Sequence, residues 1–309
     1  MLKHLISLKK VAYTKFDEKS SVLFERNAKR IIDSFCVSSI GRSEGVHVSP
    51  NAKKIAYSSF DLNKIIVFDF ALTGERDIEI EKCVNYGDNL NSPHDFAWID
   101  DKTIVVANRE GPAVIFSVTD GNFCALRTIK EMSNSNSVVA ILRDKTIKLF
   151  FCRTSHSLDY CELDEGLNTI SSGTLIAATD LKVPDGVAVS PLGKRLAITS
   201  ALDDKVVILN LDEGNFFTLG NTKRPHGVSF LTENLVLSTG GGDPFITCWD
   251  VKNHSMRFKL KALNEEQYAL RYSEAEGGVK GVCFCPKLKM IFATCPNAPF
   301  LVFDAKGMS

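Results

Sequence analysis

The chain has 309 residues with 37 basic and 37 acidic side chains and a hydrophobic fraction of 44%. Balanced charge and ordinary apolar content exclude a disordered chain, and 20 Gly with 10 Pro are too few for a collagen-like or low-complexity one. No Lys/Arg-rich run supplies the footprint of a nucleic-acid binder, and nothing approaches the ~18 apolar residues of a membrane span, so neither partner is expected.

From the amino terminus, MLKHLISLKK lacks the apolar core and small-residue cleavage site of a signal peptide. Nine cysteines, odd in number and scattered, fit reduced thiols, so a cytoplasmic setting is expected. The chain then repeats itself. Residues 45–70, GVHVSPNAKKIAYSSFDLNKIIVFDF, match residues 186–211, GVAVSPLGKRLAITSALDDKVVILNL, without a gap. The frame recurs at 95, 227 and 281, more weakly near 137, and residues 1–25 fall on it through AYTKFDEKSSVLFE. Unit starts at 1, 45, 95, 137, 186, 227 and 281 lie 41 to 54 residues apart. That spacing matches the ~40–50 residues of a four-stranded propeller blade.

Within a unit, short apolar strands alternate with turns rich in Pro, Gly, Asn, Asp or Lys, with no helical period. Outer strands are expected at RIIDSFCVS, RDIEIEKCV, CALRTIK, TLIAATDL, FFTLGN and MRFKLKAL, and a helical turn or two at EEQYALRY within the longer connection 252–276. An all-β fold follows, a single β-propeller over 1–309. Seven blades are the first expectation. Six are the alternative, because the chain ends after a third strand and its first segment could be used differently.

The segment Pro184-Asp185-Gly186-Val187-Ala188-Val189-Ser190-Pro191 resembles the YVTN/lactonase-like group of propellers, with NHL and WD40 repeats as relatives in form. Pro93-His94, Pro225-His226-Gly227-Val228 and Val106-Ala107-Asn108-Arg109 resemble segments of 6-phosphogluconolactonase-type propellers. That likeness implies a lactone hydrolase or related lyase. The chain departs from the lactonase unit in interposing a proline in Arg224-Pro225-His226 and in lacking a glutamate in LVLSTGG.

Propeller geometry gathers the first residues of every inner strand at one mouth of the central channel. Here they are Glu44, His94, Asp95, Asn136, Asp185, His226 and Lys280. As an enzyme, His94 or His226 would be the general base and Arg109, Arg224 or Lys280 would face an oxyanion. As a binding scaffold, Glu44, Asp95, Asn136, Asp185 and Lys280 would line the mouth toward a small molecule or protein segment. A divalent cation is a further possibility, although no HExxH or EF-hand motif specifies one. Cys283 and Cys285 read as buried thiols, Gly240-Gly241-Gly242 as a permissive turn, Trp249-Asp250 as a core strand ending, and His47 and His156 as residues without a catalytic role.

Overall fold

The computed structural model describes residues 5–6, 24–25, 29–30, 42–73, 77–87, 89–119, 122–263, 265–269, 278–295 and 298–305. Six antiparallel sheets form the blades of a β-propeller. Their inner strands are Ser43–Val48, Pro93–Asp100, Ser135–Arg143, Pro184–Val189, Pro225–Thr232 and Val282–Cys285. Each is followed by two or three strands that meander outward. Every inner strand packs beside the next, and the last returns to the first.

The alternative count of six therefore holds. The first repeat-like segment does not make a blade: Lys29–Arg30 pairs antiparallel with Ala298–Asp304 and completes the last sheet from outside. Leu5–Ile6 adds a fifth strand to the first sheet, and Phe24–Glu25 pairs in parallel with Ser255–Lys261 on the fifth. Early chain thus closes the ring on late chain. The outer strands expected at 76–84, 124–130, 216–221 and 256–263 overlap Asp77–Tyr86, Asn122–Ile129, Phe216–Asn221 and Ser255–Lys261. The third blade's outer strand is Thr169–Ile176, earlier than TLIAATDL, and Glu265–Ala269 is the helical turn of the long connection. Most of RIIDSFCVS lies outside the described residues.

Second and third strands are apolar on both faces because each blade is covered by a neighbour on either side. In Lys54–Ser59, Ile55 and Tyr57 pack with Phe292 and Val302 of the sixth blade, whereas Ala56 packs with Phe96 and Trp98 of the second. Six such clusters among the described residues occupy the six gaps between blades. An isolated blade would leave both faces wet, so the ring is the unit of stability.

A hydroxyl stitches neighbouring blades where they meet the channel. The Gly281 amide donates to Thr294 Oγ1 at 2.6 Å, and that hydroxyl donates to the Glu44 carbonyl at 2.8 Å, joining the sixth blade to the first. Ser58 links Gly45 to the His94 carbonyl, Thr199 links Gly186 to that of His226, and Thr239 links Gly227 to that of Lys280. Each of these four hydroxyls therefore satisfies a buried donor in its own blade and a buried acceptor in the next.

Candidate functional site

Five inner strands slip register at their start. The slips fall between Ser43 and Val46, Pro93 and Asp95, Ser135 and Ser137, Pro184 and Val187, and Pro225 and Val228. Glu44, His94, Asn136, Asp185 and His226 are the first residues inside those slips, and Lys280 holds the equivalent place two residues before Val282. A bulge leaves a residue outside the ladder and re-aims its side chain. One polar residue per blade is thereby turned toward the axis.

Four of the six converge. His226 Nε2 lies 3.4 Å from Glu44 Oε2 and 3.3 Å from Asp185 Oδ2. His94 Nε2 lies 3.9 Å from Glu44 Oε2 and 3.7 Å from Asp185 Oδ1. The two imidazoles stack with centroids 5.2 Å apart and planes 15° from parallel. A cavity lined by these four, together with His47 and Asp95, occupies the centre of the ring.

The hydrogen bonds around the four settle which atoms face inward. His94 Nδ1 is 2.8 Å from the Asn136 carbonyl, which can only accept, so the ring donates through Nδ1 and the neutral imidazole keeps its lone pair on Nε2. Burial first, then the charges of Lys280 and Arg109, push the His94 pKa down to about 3. Burial and then Lys280 likewise hold His226 well below the usual histidine value. Both rings are neutral at pH 7, so their approaches to the carboxylates are not ion pairs.

Glu44 is fully buried and its two oxygens differ. Oε1 meets Lys280 Nζ at 2.8 Å and Arg42 Nε at 2.6 Å, with the Arg42 guanidinium stacked over Phe60. Oε2 has no hydrogen-bond partner, and neither has the buried Asn136 Oδ1. Asn136 spends its amide on the Pro184 carbonyl at 3.0 Å. Two cations thus fix the carboxylate by one oxygen and leave the other aimed at the histidine pair. Among the described residues, Glu44, His94 and His226 bring ligand atoms within 4.8 Å of one another.

Other expected site residues sit differently. Asp95 accepts from Ser137 Oγ at 2.5 Å and pairs with His47 at 2.9 Å. Arg109 bears on both histidines through its charge, and its amide donates to the Ser92 carbonyl. Arg224 is a turn residue with φ of 47°, its amide bonded to Asp204 Oδ1 and its carbonyl accepting from Gly241. Arg42 and His47 were not among the expected residues. Arg42 lies two positions before Glu44, and a basic residue that close to a blade entrance was the available signal.

Buried neutral histidines carry a pH signature. An unfolded histidine titrates near 6.5, so below that pH the unfolded chain binds protons that the folded site refuses. The stability these groups contribute is intact above about pH 6.5 and declines toward their depressed folded values. His94→Gln, removing the ring held near 3, is expected to reduce the slope of unfolding free energy against pH by about 1.4 kcal/mol per unit between about pH 6 and 4. Urea unfolding across that range measures it, and identical slopes would refute neutral burial.

No protein-family profile matches the chain, and no curated protein matches its sequence. Solved structures do. A chain of a nidogen/laminin complex superposes with a TM-score of 0.61 at 13% identity, covering 79% of this chain and 85% of that one. Regucalcin from Agrobacterium tumefaciens, described as a calcium-binding protein, superposes with a TM-score of 0.62 at 11% identity, covering 90% and 89%. At such identities the likeness is one of fold. No helix among the described residues is long and apolar enough to cross a membrane.

Proposed function

We propose that this is a binding propeller, akin to the YVTN/lactonase-like group, whose central cavity takes a divalent transition-metal cation and, through it, a small anionic molecule. The observation that carries the reading is the unpartnered Glu44 Oε2, 3.4 Å from His226 Nε2 and 3.9 Å from His94 Nε2, with the same two imidazole nitrogens 3.3 and 3.7 Å from the Asp185 carboxylate. Ligand atoms around an ion of ~2.1 Å bond length are about 3.0 to 3.5 Å apart, and those of Glu44, His94 and His226 already lie within 4.8 Å of one another. Lys280 and Arg42 on Oε1, and the Asn136 carbonyl on His94 Nδ1, are the outer contacts that orient ligands.

Two imidazole nitrogens with the Glu44 carboxylate favour Zn²⁺ or Mn²⁺ over Ca²⁺, which prefers an all-oxygen shell. The regucalcin neighbour is described as calcium-binding, and the imidazoles argue for a different cation here. Lys280 and Arg42 already supply two positive charges at Glu44 Oε1, so a bound cation would leave the cavity receptive to an anion such as a carboxylate. A base role for His94 in lactone hydrolysis has less support, since a pKa near 3 makes a weak base at neutral pH.

Titration of chelator-treated protein with Zn²⁺, Mn²⁺ and Ca²⁺ by calorimetry tests the reading. One transition cation per chain is expected, bound at least about a hundredfold more tightly than Ca²⁺ and weakened by about a hundredfold or more in His94→Ala. Absence of saturable binding, or affinity unchanged in His94→Ala, would overturn it.

A further inference from the structure

The end of the channel away from Glu44 carries a charge pattern that the balanced total conceals. Inner strands start at the Glu44 ring and end at the opposite face, where each turns back into the second strand of its blade. Exposed Lys53, Lys102, Arg143, Lys194 and Lys287 stand on those turns and strand ends, one from every blade except the fifth. With Lys145 and Lys289, seven cations there face four acids, Asp100, Asp101, Asp144 and Glu233. Three of the acids are drawn onto backbone. Asp101 Oδ1 accepts from the Asn51 amide at 2.7 Å, Asp100 Oδ1 from that of Lys102 at 2.7 Å, and Glu233 Oε2 from that of Leu192 at 3.0 Å.

Two exposed apolar side chains stand in the same ring. Leu142 is 52% exposed near the end of the third inner strand, and Leu192 is 59% exposed in the turn that follows the fourth. The Arg143 guanidinium donates to the Leu192 carbonyl at 3.5 Å, so the two leucines belong to adjoining turns. Outward of them on this face, the turns between the third and fourth strands of the same two blades carry Asp164, Glu165, Asp212 and Glu213 and no cation. Lys145 meets Glu165 across the boundary at 3.3 Å. A basic mouth bearing leucines is thus bordered by an acidic rim.

We infer that this mouth, at the end of the channel opposite the Glu44 cluster, docks an acidic peptide segment of a partner protein that also carries leucine-like side chains. The carboxylates of the segment lie over Lys102, Arg143 and Lys194, and its apolar side chains cover Leu142 and Leu192. The charge of the ring selects an anion, since complementary potentials steer and orient a partner. The leucines select a peptide over an inorganic polyanion, which would leave them in water. The acidic rim selects a segment over an anionic bilayer. A membrane flat enough to meet both leucines would press on Asp164, Glu165, Asp212 and Glu213, whereas a peptide can follow the inner ring and avoid them.

A fluorescent peptide of Glu-Glu-Leu repeats is the probe, titrated by anisotropy at about 50 mM salt, where surface charges are weakly screened, with chelator present so that no cation in the Glu44 cavity contributes. Saturable binding is expected. The double variant Lys102→Glu/Lys194→Glu should weaken it by about tenfold or more, and Leu192→Ser by about tenfold. Lys205→Glu, at an exposed position on the Glu44 face, should change it by less than about twofold. All four substituted side chains are exposed, and thermal melts verify that the variants fold. A peptide of Glu-Glu-Ser repeats should bind about tenfold more weakly. Absence of saturable binding, an equal loss in Lys205→Glu, or equal affinity for the Ser peptide would overturn the inference. So would sedimentation with phosphatidylserine vesicles that the double variant abolishes, which would assign the mouth to a bilayer.

Discussion

Glu44→Gln will destabilise the propeller by about 3–5 kcal/mol, the usual cost of breaking a buried ion pair by removing one partner. The substitution keeps the shape of the side chain and deletes the charge that Lys280 Nζ faces at 2.8 Å and Arg42 Nε at 2.6 Å. Lys280 is only 3% exposed, so its ammonium cannot recover by turning to solvent. The effect should depend on that ammonium, and adding Lys280→Met to Glu44→Gln should return a large part of the loss. A double-mutant cycle by urea unfolding, in chelator so that no cation intervenes, gives the coupling. Additive effects would mean that Glu44 acts through packing, and the account of a carboxylate fixed by two cations would fail.

The contrast between what the repeat revealed and what it concealed has a physical cause. Pro-x-Gly-Val starts and apolar strand runs are local, so the blades and their polar axial residues are legible in the repeat itself. That alignment already brought Glu44, His94, Asn136, Asp185, His226 and Lys280 to one ring. Blade number was harder, because alternation of period two reads alike in an inner strand and in an edge strand. The segment 1–25 matches the repeat, yet its pairing with distant sheets is decided by ring closure, a non-local property. Arg224 shows a second limit: its position beside Pro225 was visible, whereas the left-handed turn that commits its backbone to Asp204 and Gly241 was not. Strand alternation, which counts faces by two, points His47 away from the face that carries Glu44. The register slip between Ser43 and Val46 changes the count, so that both Glu44 and His47 line the cavity.

Gly281→Ala tests how the ring closes. A Cβ at Gly281 would lie far inside contact with the Glu44 carbonyl oxygen and about 3.0 Å from the Val46 nitrogen. Both are backbone atoms of the first blade, held by the Thr294 hydroxyl and the strand ladder, and no side chain can swing aside to make room. Relief would require the first and sixth blades to part, opening the cluster that joins Tyr57 and Phe68 to Met290 and Phe292. Overpacking of a rigid site typically costs about 1–3 kcal/mol and occasionally more, and backbone against backbone puts this substitution at or above the upper end. Gly87→Ala is the control, since its closest contact is 3.3 Å, at the Asn63 carbonyl oxygen on the ring's periphery. Thermal melts of the two variants should therefore diverge, with Gly281→Ala lower by several degrees and its loss shared by Gly227→Ala, whose Cβ would strike the Lys280 carbonyl in the same manner. Equal melting of Gly281→Ala and Gly87→Ala would show that the blades approach less closely at the axis than the stitched arrangement requires.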